Sequence, residues 1–336
     1  MQRVYAPGDA DRRKLKFLYR QGGIDTRYSV IPDYSLPAGS WEFYMPTEDL
    51  EPFPALETRM QWFKREAAPL SLVAIRDCLK DFPGKEITHL ITVSCTGMSA
   101  PGLDLELVQA LGLPHHITRM SVNFMGCYAA LHALKIADAF CKTEENANVL
   151  IVCTELCTLH FQKEHTTDNI TSSMLFADGS AAALVSNDPE VPGLQLGKFN
   201  STIASTGNSD MAWHLSSSGF RMTLSSYIAD LVEENFRHFV DETLQSSGMS
   251  INEITQWCIH PGGKKILEAV QKSLEFSNGQ LDPCYHILKN YGNMSSPTVL
   301  FVLREMMRKM PFDGRQKTFM AAFGPGLTME TLILSS

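Results

Sequence analysis

The chain has 336 residues, 44% of them hydrophobic and 20% charged, with a formal net charge of −8. That is enough apolar content for a large core, in one big domain or two, and the acidic balance excludes a general nucleic-acid binder, so any anionic ligand must meet local basic residues. Apolar runs such as 149–153 and 181–185 are too short to span a bilayer, and no basic segment followed by an apolar one opens the chain as a secretory signal would, so a cytoplasmic protein is expected. The eight cysteines form no Cys-x-x-Cys pair. This argues against a zinc or redox pair, predicts no metal site, and favours free thiols in a reducing compartment. The sequons at Asn169 and Asn200 are chance matches in such a protein.

Residues 11–20 are basic and amphipathic and read as a helix. Residues 59–80 form a longer one, with Pro69 a candidate kink. A β-rich run at 87–93 ends in Ser94-Cys95-Thr96-Gly97, and a helix follows at 103–111. The next strand, 117–122, leads through Asn123-Phe124-Met125-Gly126-Cys127 into an Ala-rich helix at 128–140. Runs at 148–154 and 180–185 are continuously apolar, as in a sheet covered on both faces. The second half repeats the grammar: helix 227–244, strand 254–259 ended by His260-Pro261-Gly262-Gly263, helix 264–273. Asn293-Met294-Ser295-Ser296 opens a helix at 298–309, with Pro297 well placed at its first turn. Strands at 318–323 and 327–334 flank Gly324-Pro325-Gly326. The expected fold class is α/β, a layered α-β-α-β-α arrangement of two related halves, divided at 1–187 and 188–336 with no linker between them.

Three positions could carry chemistry. Cys127 precedes a helix, whose positive end favours a thiolate. With a nearby imidazolium, the thiol pKa would fall from about 8.5 toward roughly 4–7. A small buried cysteine at a tight turn fits the position equally. His260 ends a strand, where α/β sheets face their ligand crevice; a structural histidine would sit there too. Asn293 has the residue type and place of a helix N-cap.

The contexts of these residues match a family. Arg119-Met-Ser-Val-Asn-Phe-Met-Gly-Cys127, Trp257-Cys-Ile-His-Pro-Gly-Gly263, Tyr291-Gly-Asn-Met-Ser-Ser296 and Phe323-Gly-Pro-Gly-Leu-Thr328 occur in this order. Together they resemble the chalcone and stilbene synthases and their bacterial relatives, type III polyketide synthases of the thiolase superfamily. The resemblance runs from about residue 11 to the end of the sequence and implies the thiolase-like fold. It implies Cys127 as nucleophile, His260 and Asn293 as its partners, and Phe176 as the gatekeeper aromatic. It also implies a homodimer that binds neither nucleic acid nor membrane. The activity implied is loading of an acyl-CoA starter on Cys127 and extension with malonyl-CoA, closing to a pyrone or small phenolic ring. CoA thioesters are then substrates, and no cofactor is expected. Asn293 is uncharged and cannot take a proton, so it suits donor work at a developing enolate.

By the same resemblance, Lys14 falls on a CoA-contact position. Two other such positions hold Phe17 and Gln21, with Lys16 and Arg20 adjacent; Lys264 and Lys265 follow His260 at a helix start. Each lysine also fits an ordinary solvated face. Cavity positions fall on Cys95, Cys157, His160, Trp213, Met222 and Ser295. Trp213 stands where larger-cavity members have glycine, adding on the order of 200 Å² of aromatic surface. With Cys95 and Cys157 small enough to line a side tunnel, short or linear aliphatic starters are expected. The sequence departs from the family pattern at Ala322, where the closing loop has glycine, and at Ala100, where a methionine reaches the partner's cavity. It also begins late, so that either the start is misassigned or the domain lacks an edge element. Two further readings share parts of the pattern: an initiating β-ketoacyl-ACP synthase and a non-catalytic thiolase-fold binding protein.

Overall fold

The computed structural model describes residues 2–6, 8–204, 210–225, 227–277 and 279–336. The chain opens with α1 (Gln2–Tyr5) and α2 (Asp9–Gln21), then α3 (Leu56–Leu79), which runs through Pro69 as one helix. Next come β1 (His89–Ser94), α4 (Leu103–Leu111), β2 (Thr118–Asn123), α5 (Ala129–Thr143), β3 (Asn148–Leu156), α6 (Thr167–Leu175) and β4 (Asp178–Ser186). The second half has β5 (Gln195–Ile203), β6 (Met211–Ser216), β7 (Gly219–Leu224), α7 (Ile228–Ser246), β8 (Gln256–Ile259), α8 (Lys264–Ser273), α9 (Asp282–Tyr291), α10 (Pro297–Met307), β9 (Lys317–Gly324) and β10 (Thr328–Ser335).

Two four-stranded sheets form, in the orders β2-β1-β3-β4 and β5-β10-β9-β8. In the first, β1 is parallel to β2 and β3, and β3 is antiparallel to β4. In the second, β8 is parallel to β9, while β10 is antiparallel to β9 and β5. The strands β1 and β3 are buried at every residue, as their unbroken apolar runs require. The reason is the layering. Helices α5 and α10 pack between the two sheets, α3 and α4 cover the far face of the first, and α7 to α9 cover the second. The expected α-β-α-β-α stack is therefore the observed one. A single core cluster runs from Leu131 and Ile151 through Val299 to Phe239 and Phe319.

Six elements were not foreseen: the short α1, and α6, β5, β6, β7 and α9. Strand β5 (sequence QLGKFNSTI) is polar and mostly half-exposed, and α6 (TDNITSSML) is built from poor helix formers with Thr166 as its N-cap, so neither has the apolar period that marks a helix or strand. Helix α9 begins at a proline-containing turn, and the β6–β7 hairpin turns on Ser217-Ser218 without the usual Gly-containing dipeptide.

One buried cation ties the first sheet's covering helix to the loop after β3. Arg59 of α3 is fully buried. Its Nε donates to the carbonyl of Pro54 at 2.9 Å, and its Nη1 donates to those of Leu159 and, at 3.1 Å, Phe161. Arg59→Leu should strand these carbonyls in an apolar setting and lower the unfolding free energy by about 3–5 kcal/mol. Urea denaturation checks this; a loss below about 1 kcal/mol would mean that the three bonds merely replace water.

Candidate active site

Cys127 lies in a 3-10 turn, Gly126–Tyr128, between β2 and α5. Gly126 has φ +80, and a Cβ there would stand 2.3 Å from Pro325 Cδ. Only glycine meets both demands. The closing loop Gly324-Pro325-Gly326 is thereby laid directly on the nucleophile's turn. The Gly126 N–H donates to Cys95 Sγ at 3.0 Å, and Trp213 Nε1 donates to the Cys95 carbonyl at 2.7 Å. Cys95 thus braces the turn from beneath.

Asn293 follows the end of α9. Its Oδ1 accepts from the Ser295 N–H at 2.8 Å, and its Nδ2 donates to the Gly262 carbonyl at 3.2 Å. A backbone N–H can only donate, so the amide orientation is fixed with its NH2 turned toward Gly262 and Cys127. Asn293 is not the N-cap of the next helix: α10 begins at Pro297, with Ser296 in that place. The polar side chains of Ser295 and Asn293 near the Cys127 thiol favour its ionised form. Gly262 packs against the His260 ring, and its N–H bonds the His260 carbonyl at 2.9 Å. Phe176 is bridged to Asn293 backbone to backbone: Asn293 N–H to Leu175 carbonyl at 3.0 Å, Ala177 N–H to Asn293 carbonyl at 2.9 Å. Asn293 thereby adjoins Phe176 through the backbone bridge, and through its side chain the Gly262 turn beside His260.

The electrostatics correct one expectation. The pKa of the Cys127 thiol is not drawn down. Burial pushes it up to about 11, with Glu155 adding to the rise, against the opposing bonds from Ser295 and Asn293. Burial likewise pulls the His260 imidazole down to about 3. The helix start was expected to favour a thiolate, but removal from water outweighs the helix dipole, and a neutral imidazole supplies no cation. Burial disfavours the charged form of both groups. Among the described residues, neither ring nitrogen of His260, which is 1% exposed, has a hydrogen-bond partner. An orphaned buried ring with one N–H and one lone pair is rare outside functional sites.

The sequence reading missed Glu155. It is the one charged residue of β3, fully buried, and a lone carboxylate in an apolar strand was the available signal. It accepts from Cys95 N–H at 2.8 Å, Thr96 Oγ1 at 2.9 Å and Ser94 Oγ at 3.4 Å in the first half, and from Ser296 Oγ at 2.8 Å in the second. Burial raises its pKa to about 7, against these bonds.

A cavity of about 320 Å³ opens beside Phe176. Cys157, His160, Trp213 and Met222 are among its lining residues; Cys95 and Ser295 lie instead at the Cys127 turn. Its wall is partly polar, with Ser29, Tyr34, Gln162 and Asn169. His160 stacks flat on Phe220 at 4.2 Å, and Trp213 meets both rings edge-on. His160 Nδ1 accepts from the Phe220 N–H at 3.1 Å, so its Nε2 must be the donor to the Thr96 carbonyl at 2.6 Å. Burial lowers its pKa to about 3, which keeps this tautomer neutral.

Of the basic candidates, Lys264 lies against Gly23 at the end of α2, so the first helix and the start of α8 adjoin one another beside His260. Lys14, Lys16 and Arg20 are exposed on α2. Lys265 points elsewhere: it lines an open depression with Glu233, Glu268 and Lys272, on the α7 side of its helix. Adjacent helical residues diverge by about 100°, so Lys264 and Lys265 face different ways.

The chain matches the family model of the N-terminal domain of chalcone and stilbene synthases over residues 8–189, and that of the C-terminal domain over residues 195–336. It is 31% identical over 334 residues to the probable polyketide synthase 1 of Dictyostelium discoideum, a match covering 96% of this chain but only 10% of that protein. The chain thus spans about a tenth of the length of that curated relative. Among solved structures, PKS-I of the brown alga Ectocarpus siliculosus aligns with a TM-score of 0.90 at 28% identity, covering 98% of this chain and 90% of that one. The C-terminal type III polyketide synthase domain of Steely1, a type I/III hybrid from Dictyostelium, aligns at 0.89 and 30% identity, covering 99% and 92%. The 1,3,6,8-tetrahydroxynaphthalene synthase of Streptomyces coelicolor aligns at 0.87 and 25% identity, covering 99% and 92%.

The raised carboxyl of Glu155 has a pH signature. Between an unfolded value of about 4.3 and the folded value of about 7, the folded chain holds a proton that the unfolded chain has lost. Stability from this group therefore falls as pH rises through that window. Glu155→Gln cannot titrate. Its melting temperature, relative to the unchanged protein, should climb by on the order of a few degrees from about pH 5 to about pH 8. A pH-independent difference would mean that Glu155 is ionised throughout.

Proposed function

Because the chain belongs to the chalcone and stilbene synthase family, we propose that it works as a type III polyketide synthase. It loads an acyl group from a CoA thioester on Cys127 and extends it with malonyl-CoA. The observation that carries this reading is the orphaned His260 ring held beside the fixed Asn293 amide and the Cys127 thiol. Relatives of this chain are polyketide synthases, so the β-ketoacyl-ACP synthase and non-catalytic readings are not favoured.

The chemistry follows from the neutral resting state. As Cys127 Sγ attacks the starter thioester, its proton passes to the lone pair of His260, and the CoA thiolate leaves with a proton from that ring. The imidazolium exists only while charge is moving, so its desolvation cost is offset by the adjacent sulfur anion. Malonyl-CoA then loses CO2, and its thioester oxygen becomes an enolate. The N–H of neutral His260 and the Nδ2 of Asn293 are the two donors for that oxygen. The enolate carbon attacks the acyl thioester on Cys127, Cys127 leaves as thiolate and takes a proton from solvent in place of the one lost with CoA, and the chain grows by two carbons. Phe176, on the cavity wall beside Asn293, gives the malonyl carboxylate an apolar neighbour from which it departs as neutral CO2.

Lys14, Lys16, Arg20 and Lys264 are the groups we assign to the CoA phosphates, since α2 and the start of α8 meet beside His260. The edge strand β2, with its largely exposed residues, supports a homodimer through that strand. Eight unpaired cysteines and the family's CoA chemistry support a cytoplasmic setting. A 320 Å³ cavity narrowed by Trp213 suits short starters and few extensions, ending in a pyrone or small phenolic ring.

Asn293→Ala tests the assignment. It should still form the acyl-enzyme on Cys127, read by intact-protein mass spectrometry, but lose malonyl-CoA decarboxylation by a factor of roughly 10² or more. Equal loss of both steps would mark Asn293 as a purely structural residue. Trp213→Gly should lengthen the products or admit larger starters, read by product mass across a panel of starters. Trp213→Phe separates volume from the lost bond to Cys95 and should leave product length unchanged. An unaltered profile in the glycine variant would end the cavity argument.

A further inference from the structure

The strap 25–30 between α2 and the rest of the first half crosses the junction where Phe176 and Asn293 meet. Its Asp25 and Thr26 N–H groups both donate to the Lys289 carbonyl near the end of α9, at 2.8 and 3.1 Å. Further on, the Tyr28 carbonyl accepts from the Asp178 N–H at 2.9 Å, and the Val30 N–H donates to Asp178 Oδ2 at 2.8 Å. One short segment is therefore stitched to the Asn293 side through α9 and to the Phe176 side through Asp178. Arg27 lies between these stitches.

Its guanidinium meets the C-terminal end of α6, where the last carbonyls of a helix lack partners and carry partial negative charge. Ser172 carbonyl is taken by the Phe176 N–H at 2.9 Å, and Leu175 carbonyl by the Asn293 N–H at 3.0 Å. The two others nearby, Ser173 and Phe176, both accept from Arg27 Nη1, the second at 3.1 Å. Tyr19 Oη lies 3.4 Å from Nη2 and its ring beneath the guanidinium. The stem covers the other side of the junction. Gly292 has φ +70, and a Cβ there would stand 2.8 Å from Arg27 Cγ and 3.1 Å from Cδ. Arg27 thus touches the peptide of the gatekeeper aromatic with its head and the residue before Asn293 with its stem.

We infer that Arg27 is a positioning residue that locks Phe176 and Asn293 in register. It governs the decarboxylation and extension steps through them, while leaving acylation of Cys127 alone. This rests on the polyketide synthase reading for its kinetic consequence but not for the clamp itself. The physical reason is one of geometry. The donor to the enolate and the apolar wall beside the malonyl carboxylate sit on segments joined by only two backbone bonds. A misplacement of about 1 Å between them can cost on the order of 10²-fold in rate. Thiol loading uses neither contact.

Arg27→Met keeps the stem and removes every donor; Arg27→Lys restores one charge without the planar fork. The methionine variant should lose at least about tenfold in kcat for malonyl-CoA decarboxylation. Its rate of acyl-enzyme formation, read by intact-protein mass, should stay within about twofold. The lysine variant should recover part of the loss. Parallel falls in both steps, or no fall in decarboxylation, would overturn the inference. If the methionine variant does not fold, the lysine variant decides alone by the same ratio. Amide hydrogen exchange supplies an arm that needs no turnover. In either variant the Ala177 and Asn293 amides should exchange at least about tenfold faster while those of β3 are unchanged. Unchanged exchange at those two amides would also overturn it. If the unaltered protein neither loads nor decarboxylates, the proposed function fails, and the exchange result still decides the clamp.

Discussion

The bridge between Phe176 and Asn293 holds the two halves of the molecule in working register. It is short, two backbone hydrogen bonds outside any regular sheet. Yet it joins the end of α6 in the first half to the end of α9 in the second, and so fixes the gatekeeper against the amide donor. The elements around it exist to present these ends. Strand β8 delivers His260 where the strand stops, the glycine-containing turn delivers Cys127, and the closing loop at Pro325 presses on that turn from above. Glu155 makes a second tie across the same junction, through the Cys95 turn and Ser296. A carboxylate this deep is tolerated because four donors converge on it.

Burial sets the electrostatic character of the site. The imidazole is fully buried and the thiol half-buried, and each becomes harder to ionise. An ion pair at rest would require separated charge in a medium that penalises it. A neutral pair, by contrast, offers what the chemistry needs in sequence: a lone pair to receive the thiol proton, then an N–H to meet an oxyanion. The same dryness strengthens each hydrogen bond to developing charge. In this account the site stores no thiolate. It makes one at the moment of attack, with the substrate's departing sulfur as the eventual owner of the proton.

Much of this was legible in the residues themselves. The continuous apolar runs of β1 and β3 announced a sheet covered on both faces, and α4 and α8 begin and end where their periodicity does. The motifs around Cys127, His260 and Asn293 were visible because a catalytic turn restricts neighbouring residues as well as the reactive one. Other features were hidden for stated reasons. Helix α6 holds its place through Thr166, Arg27 and the bridge to Asn293 rather than through helix propensity, so tertiary contacts override its local preference. The partners of Cys95, Arg59 and Arg27 lie far along the chain, and no local pattern reports them. The thiol's high pKa was misjudged because a helix start is local and readable, whereas the depth of burial depends on the whole packing arrangement.

The claim on which the rest turns is that Cys127 rests as a neutral thiol beside a neutral ring. Thiolate absorbs in the near ultraviolet where thiol does not, so the difference in absorbance between the unaltered protein and Cys127→Ala, followed against pH, reports this one residue. The account requires no thiolate signal at neutrality and a rise only toward the alkaline end, consistent with a value of about 11. A plateau of one thiolate already present below about pH 7, as an ion pair with His260 would give, would contradict it.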